Sequence, residues 1–180
     1  MPELWDLYDK DCNPMGITHP RGNPLPEGTY HLAVQIALFN GRGEIMLTRR
    51  SSEKQKYPGC WEIPGGCAKA GETSLDAACR ELWEETGITA QPENLHLLAQ
   101  VLLPTAHLYI YAITIKFPPE IALQPGETDD VQWLPLEDWL SRVGSSTVYL
   151  SPSWHAAIDY SLYPKLRAYC AGKQELNTQT

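Results

Sequence analysis

Apolar positions along the chain fall into short alternating or continuous runs, with one stretch of helical spacing set among them. Leu4-Trp-Asp-Leu-Tyr-Asp9 alternates apolar and polar side chains as a half-buried strand does, and Asp11-Cys-Asn-Pro-Met-Gly16 supplies turn residues behind it. Together they predict a small N-terminal hairpin. Pro20 to Gly28 holds three prolines and two glycines, which suits an extended connector rather than helix or ladder. His31-Leu-Ala-Val-Gln-Ile-Ala-Leu-Phe39 is apolar enough for a buried strand, Asn40-Gly-Arg-Gly43 is a tight-turn signal, and Glu44-Ile-Met-Leu-Thr-Arg49 reads as the returning strand of a second hairpin. The polar stretch Ser51 to Cys60 reads as an exposed loop, and Trp61-Glu-Ile63 as a short strand leading to Gly65-Gly66.

The helical stretch follows. Thr73 and Ser74 are both acceptable N-caps, and Gly87 suits the C-terminal stop. At about 100° per residue, Leu75, Cys79, Leu82 and Thr86 share one face, while Glu81, Glu84 and Glu85 share another roughly 130° away. One face is expected to pack on a sheet and the other to present carboxylates. Beyond it, Leu95 to Leu103 and Leu108 to Phe117 are strand-like runs parted by Pro104-Thr-Ala, a further hairpin. Val131-Gln-Trp-Leu134 is a last short strand, and Pro135 to Leu140 begins a helix with proline in its first turn. Trp154, Ile158, Leu162 and Leu166 have helical spacing, which Pro164 should kink or split, and Gln174 to Thr180 reads as a frayed end. Strands bracketing a central helix, with more helix at the end, predict an α/β (α+β) fold in which a mixed sheet is sandwiched between helices.

At 180 residues one domain is expected: an extension over 1–28, a core over 29–145 and a helical region over 146–180. A formal charge of −8 argues against unspecific nucleic-acid binding, which needs clustered Lys and Arg. The five cysteines are odd in number and lack zinc-type spacing, so they read as free thiols of a reducing compartment. No basic start with an apolar run marks a leader and no run is long enough to span a membrane, so a cytoplasmic address is expected.

Charge changes the picture most between residues 72 and 85, which hold five acids (Glu72, Asp76, Glu81, Glu84, Glu85) and one base, Arg80. Like charges at helical neighbour spacing repel. A solvated acidic face is one explanation. Glycines where the backbone must bend, and an arginine able to hold a carboxylate in one rotamer, point instead to a site for a hard cation with oxygen ligands, magnesium or manganese.

The register Gly66, five residues, Glu72, seven residues, Arg80-Glu81-Leu82-x-Glu84-Glu85-x-Gly87-Ile88 resembles the Nudix box without a departure. Chance agreement at these positions is on the order of 10⁻⁸ with average residue frequencies. The resemblance implies the Nudix fold and Mg²⁺- or Mn²⁺-dependent hydrolysis of a nucleoside diphosphate linked to another group, or of a related small diphosphate. It implies Glu81, Glu84 and Glu85 as metal ligands, with Gly65 at the turn joining the metal site, Arg80 orienting a carboxylate and Glu72 supporting the loop. For the base that activates water the candidates are Glu81 and Glu127, with Asp129 and Asp130 in competition. Arg49, Arg50 and Trp61 are the candidate substrate contacts, with Lys54 and Lys56 nearby.

The N-terminal segment, His19 and His31, and Leu47 to Trp61 also resemble the subgroup that includes isopentenyl-diphosphate isomerase. At the position of that enzyme's catalytic cysteine stands Gly65, and Cys67 replaces a metal-binding histidine, so hydrolysis is expected over isomerisation. A diphosphate sensor without turnover is the third alternative. Cys67 is the thiol expected to be most worth testing for reactivity. A small-molecule diphosphate is the expected partner, neither nucleic acid nor membrane is, and the N-terminal hairpin could pack across a homodimer.

Overall fold

The computed structural model describes residues 2–116, 120–143 and 162–178, with side chains of the last helix up to Gly172. Two strands, β1 (Leu4–Tyr8) and β2 (Pro14–Pro20), pair antiparallel as the expected N-terminal hairpin. The main sheet contains β3 (His31–Asn40), β4 (Glu44–Arg50), β5 (Trp61–Glu62), β6 (Gly65–Cys67), β7 (His96–Leu102), β8 (Ala106–Ile115) and β9 (Thr128–Pro135). Its helices are α1 (Ser74–Thr86), α2 (Leu136–Arg142) and α3 (Leu162–Thr178).

The sheet is mixed. Its strand order is β5-β4-β3-β8-β7, with β6 adding to β3 and β9 to β4. Parallel pairing joins β3 to β8 from His31↔Ala106 to Asn40↔Ile115, and the other ladders are antiparallel. The β3–β4 hairpin is paired only next to its turn, at Phe39↔Ile45. Nearer its start, β3 takes β6 as its neighbour (Ala33↔Cys67, Val34↔Gly66, Gln35↔Gly65), while β4 pairs along its length with β9. The two strands therefore diverge, and the glycine turn enters between them.

Alternation along β3 separates two cores. Leu32, Val34, Ile36 and Leu38 pack with Ala77, Ala78 and Leu82 of α1, while Ala37 and Phe39 pack with Trp139 and Leu140 of α2 and Leu162 and Leu166 of α3. Helices thus cover both sheet faces, as the pattern predicted. The buried strip of α1 runs through Ala77, Ala78, Leu82 and Thr86, with Leu75 and Cys79 only partly buried. Small side chains let the helix come close to the sheet, and the carboxylate face is drawn in with it: Glu81 is buried too.

Several boundaries differ from the sequence reading. Gly65–Cys67 is a strand because β3 offers it an edge, although two glycines carry no strand signal. β9 begins earlier, at Thr128, through its ladder with β4. Pro135 is the N-cap of α2 rather than part of its first turn. The chain is helical through Pro164 and on to Thr178, neither split there nor frayed from Gln174; Trp154 and Ile158 lie outside the described residues.

The N-terminal hairpin is tied to the main body. Tyr8 and Tyr30 exchange backbone hydrogen bonds (2.8 and 2.9 Å), Ala70 N–H donates to Leu4 C=O (2.8 Å), and Gly71 N–H donates to Asp6 Oδ2 (2.7 Å). It grips the loop that leads into α1.

Candidate functional site

Helix α1 is set by its ends. Thr73 and Asp76 form a reciprocal capping box, and Gly87 closes the helix in the left-handed region at φ 75°, its N–H bonded to Trp83 C=O. Between them Arg80 is a hub. Its Nε and Nη2 donate to the two Glu72 oxygens (2.7 and 2.9 Å), Nη1 to Glu81 Oε1 and Glu84 Oε2 (both 2.9 Å), and Nη2 to Cys67 C=O (2.9 Å). One guanidinium thereby ties the glycine turn, the loop and the helix together. Lys69 adds a backbone N–H to Glu72 (2.8 Å) and its ammonium to Glu84 (3.2 Å). Burial opposes ionisation of Glu72, but the hydrogen bonds from Arg80 and Lys69 hold its carboxyl below the ordinary range.

Gly66 lets the turn lie against this helix. A Cβ there would stand 2.3 Å from Glu81 Cδ and Oε1, and one at Gly65 would stand 2.3 Å from Val34 C=O. Gly65 N–H points to Glu85 Oε2 at 3.4 Å. Burial raises the Glu85 carboxyl well above the usual carboxylate range, with the charges of Glu62 and Glu81 raising it further. Burial also raises Glu81 against the opposing pull of Arg80, and raises Glu62 against that of Arg50. Three carboxyls from β5 and α1 therefore crowd one region, relieved partly by Arg50 Nη1, 2.6 Å from Glu62 Oε1.

A cavity of about 820 Å³ opens beside them. Arg50, Lys56, Glu62, Gly65, Gly66 and Cys67 line one part, and Ala33, Gln35, Ile63, Val101, Leu103 and Leu108 another. It joins a charged end to an apolar body.

The candidates read from sequence separate here. Glu72, Glu81 and Glu84 gather on Arg80, while Glu85 and Gly65 lie beside them with Glu62. Arg50 faces the cavity, whereas Arg49, one residue away on the strand, turns to the other face, its guanidinium 5.6 Å over the Trp61 ring and 3.7 Å from Asp130. Trp61 packs against the α2–α3 core and is absent from the cavity wall. Glu127 is bonded to Lys54 Nζ, and Asp129 accepts from Ser52 N–H (2.9 Å). Reactivity at Cys67 is disfavoured, because burial pushes its thiol up to about 11 and the thiolate is the nucleophile. His31 stacks on Trp5 at 4.0 Å, and burial lowers its pKa. Glu62 and Gln35 escaped the sequence reading. Their signals were a glutamate just before the glycine turn and the one polar residue between Leu32 and Phe39.

Comparison with known proteins decides the family: the family model of the NUDIX domain matches residues 29–150, more than half of the chain. The chain belongs to the NUDIX family. A NUDIX relative, an uncharacterized Nudix hydrolase of Listeria monocytogenes, is 39% identical over 48% of this chain, which spans about half (52%) of that protein's length. An isopentenyl-diphosphate Delta-isomerase of Cutibacterium acnes is 26% identical over 81% of this chain and 80% of its own. A crystal structure from Deinococcus radiodurans superposes with a TM-score of 0.69, covering 92% of this chain and 98% of that one at 21% identity, a likeness of fold. Among the described residues no helix is long and apolar enough to cross a membrane.

NUDIX proteins as a family use divalent cations, and the donor set here can be tested for that use. Among the described residues no three Asp, Glu, His or Cys groups converge as a ready metal cage, since Arg80 draws Glu81 and Glu84 to itself. The chemistry nevertheless fits: hard oxygen donors on a rigid helix, with Glu62 and Glu81 both raising the buried carboxyl of Glu85, a cost that a dication would offset.

Proposed function

We propose that this chain hydrolyses the phosphoanhydride bond of a small organic diphosphate, assisted by magnesium or manganese. The crowding of Glu62 and Glu81 upon Glu85, with Glu62 on the wall of the cavity and Glu81 and Glu85 against the glycine turn that lines it, carries this reading. Glu81, Glu84 and Glu85 would hold the cation, with the Gly65 turn beside them. Once bound, it would neutralise phosphate charge and acidify a coordinated water.

The protein's own groups supply the rest. Arg80 holds Glu81 and Glu84 in defined rotamers against the turn. Arg50, oriented by Glu62, presents its charge to a phosphate in the cavity. Glu81 is a better-placed proton acceptor than Glu127: although bonded to Arg80, it lies against Gly66 on the cavity wall with a carboxyl that burial raises, whereas Glu127 pairs with Lys54, and Ser52 and Arg49 occupy Asp129 and Asp130. Substrate contact falls to Arg50 rather than to Arg49 or Trp61.

The test is a magnesium-supplemented screen of nucleoside diphosphate derivatives, dinucleoside polyphosphates and isoprenoid diphosphates. Glu84→Gln and Glu85→Gln should each abolish turnover in a folded protein, and undiminished turnover in both would overturn the metal assignment. The Cutibacterium isomerase supports a second reading, isomerisation of an isoprenoid diphosphate. Exchange of solvent protons into isopentenyl diphosphate would favour that reading; hydrolysis without exchange would end it.

A further inference from the structure

Gln35 stands where β3 crosses the floor of the cavity, beside Gly65 in the β3–β6 ladder. Only 3% of the residue is exposed, and its Oε1 has no hydrogen-bond partner among the described residues. An acceptor stripped of water and left unpaired is costly in a folded protein, and the cost is recovered when a ligand supplies the missing donor. Gly65 fits closely around this side chain: a Cβ there would stand 2.8 Å from Gln35 Cγ. The neighbouring walls, Ala33, Ile63, Val101, Leu103 and Leu108, offer apolar contact that a nucleoside or a hydrocarbon chain would fill equally well. They do not distinguish the two.

Gln35 does. Resting on the diphosphate reading above, we propose that Gln35 is a specificity-determining residue whose Oε1 accepts a hydrogen bond from an N–H or O–H on the organic group attached to the diphosphate. The substrate class is then a nucleoside or sugar diphosphate. An isoprenoid diphosphate carries only C–H groups beyond its phosphates and would leave Oε1 buried and unpaired, the condition under which binding sites discriminate most strongly.

The experiment is calorimetric binding, with steady-state kinetics, of ADP-ribose and of geranyl diphosphate in magnesium to the wild-type chain, Gln35→Leu and Gln35→Met. Wild type should bind ADP-ribose more tightly than geranyl diphosphate. Both variants should weaken ADP-ribose about tenfold or more, mainly in KM, and leave geranyl diphosphate unchanged or tighter. Losses equal for both ligands, no change for either, a wild-type preference for geranyl diphosphate, or binding of neither would overturn the inference. The selective binding pattern without any turnover would overturn hydrolysis while leaving the role of Gln35 standing.

Discussion

A methyl group at position 66 would occupy space that the Glu81 carboxylate already fills, at 2.3 Å. Gly66→Ala should therefore displace Glu81 and lower kcat about 10²-fold, the scale of a misplacement near 1 Å, with a lowered melting temperature as the accompanying readout. Arg80→Lys keeps the charge but loses the fork that holds both Glu72 oxygens and the Cys67 carbonyl. It should destabilise the chain by about 2 kcal/mol in denaturant titration, within the range for charge-assisted hydrogen bonds. The gathering of Glu81 and Glu84 on Arg80 was legible because spacing along one helix fixes which side chains are neighbours. Glu62 and Gln35 were not, because sheet register brings them to Gly65 and Glu85, and no local pattern encodes that meeting. Arg49 and Arg50 are adjacent in sequence, so only the strand's alternation shows that one serves the cavity and the other covers Trp61.

At the level of elements, periodicity located β1, β3, β4, β5, β7, β8 and α1 within a residue or two, since buried faces impose their period on the sequence. What it missed was pairing. β6 is a strand by virtue of its partner, and the expected β3–β4 hairpin is largely open because β6 and β9 take up the edges. Thr73→Ala removes one arm of the capping box and should cost about 1 kcal/mol, measurable as a shift of the urea midpoint without a change in slope. The N-terminal hairpin contributes to the same loop from outside the family match: Asp6→Ala frees the Gly71 N–H. Hydrogen exchange at Gly71 should rise in that variant, while exchange in β8 stays unchanged.

For the whole molecule, the shared environment of Glu62, Glu81 and Glu85 sets a pH dependence. Burial raises all three acids above their ordinary value of 4.5, and the charges of Glu62 and Glu81 raise Glu85 further, so the folded state retains protons that the unfolded chain has released. Their protonated forms are compatible with the fold at low pH, and their contribution to stability falls as pH rises from that value through the raised ones. Without metal, Glu85→Gln should therefore raise the melting temperature, and by more at pH 8 than at pH 5. Magnesium should stabilise the wild type at pH 8 but not the variant. Thermal scans in chelator and in magnesium would test both statements; a variant no more stable than wild type in chelator would contradict the electrostatic account.

Parallel pairing of β3 with β8 has a consequence for how the protein is made. Parallel strands cannot meet through a tight turn, and here the connection between them includes the site-bearing helix α1. During synthesis, β3 and the whole Glu72–Glu85 segment leave the ribosome before β8, the parallel partner strand of β3, has emerged. Nascent chains arrested before Ala106 has emerged should gain no protease protection from magnesium, and chains arrested after Ile115 has emerged should begin to show it.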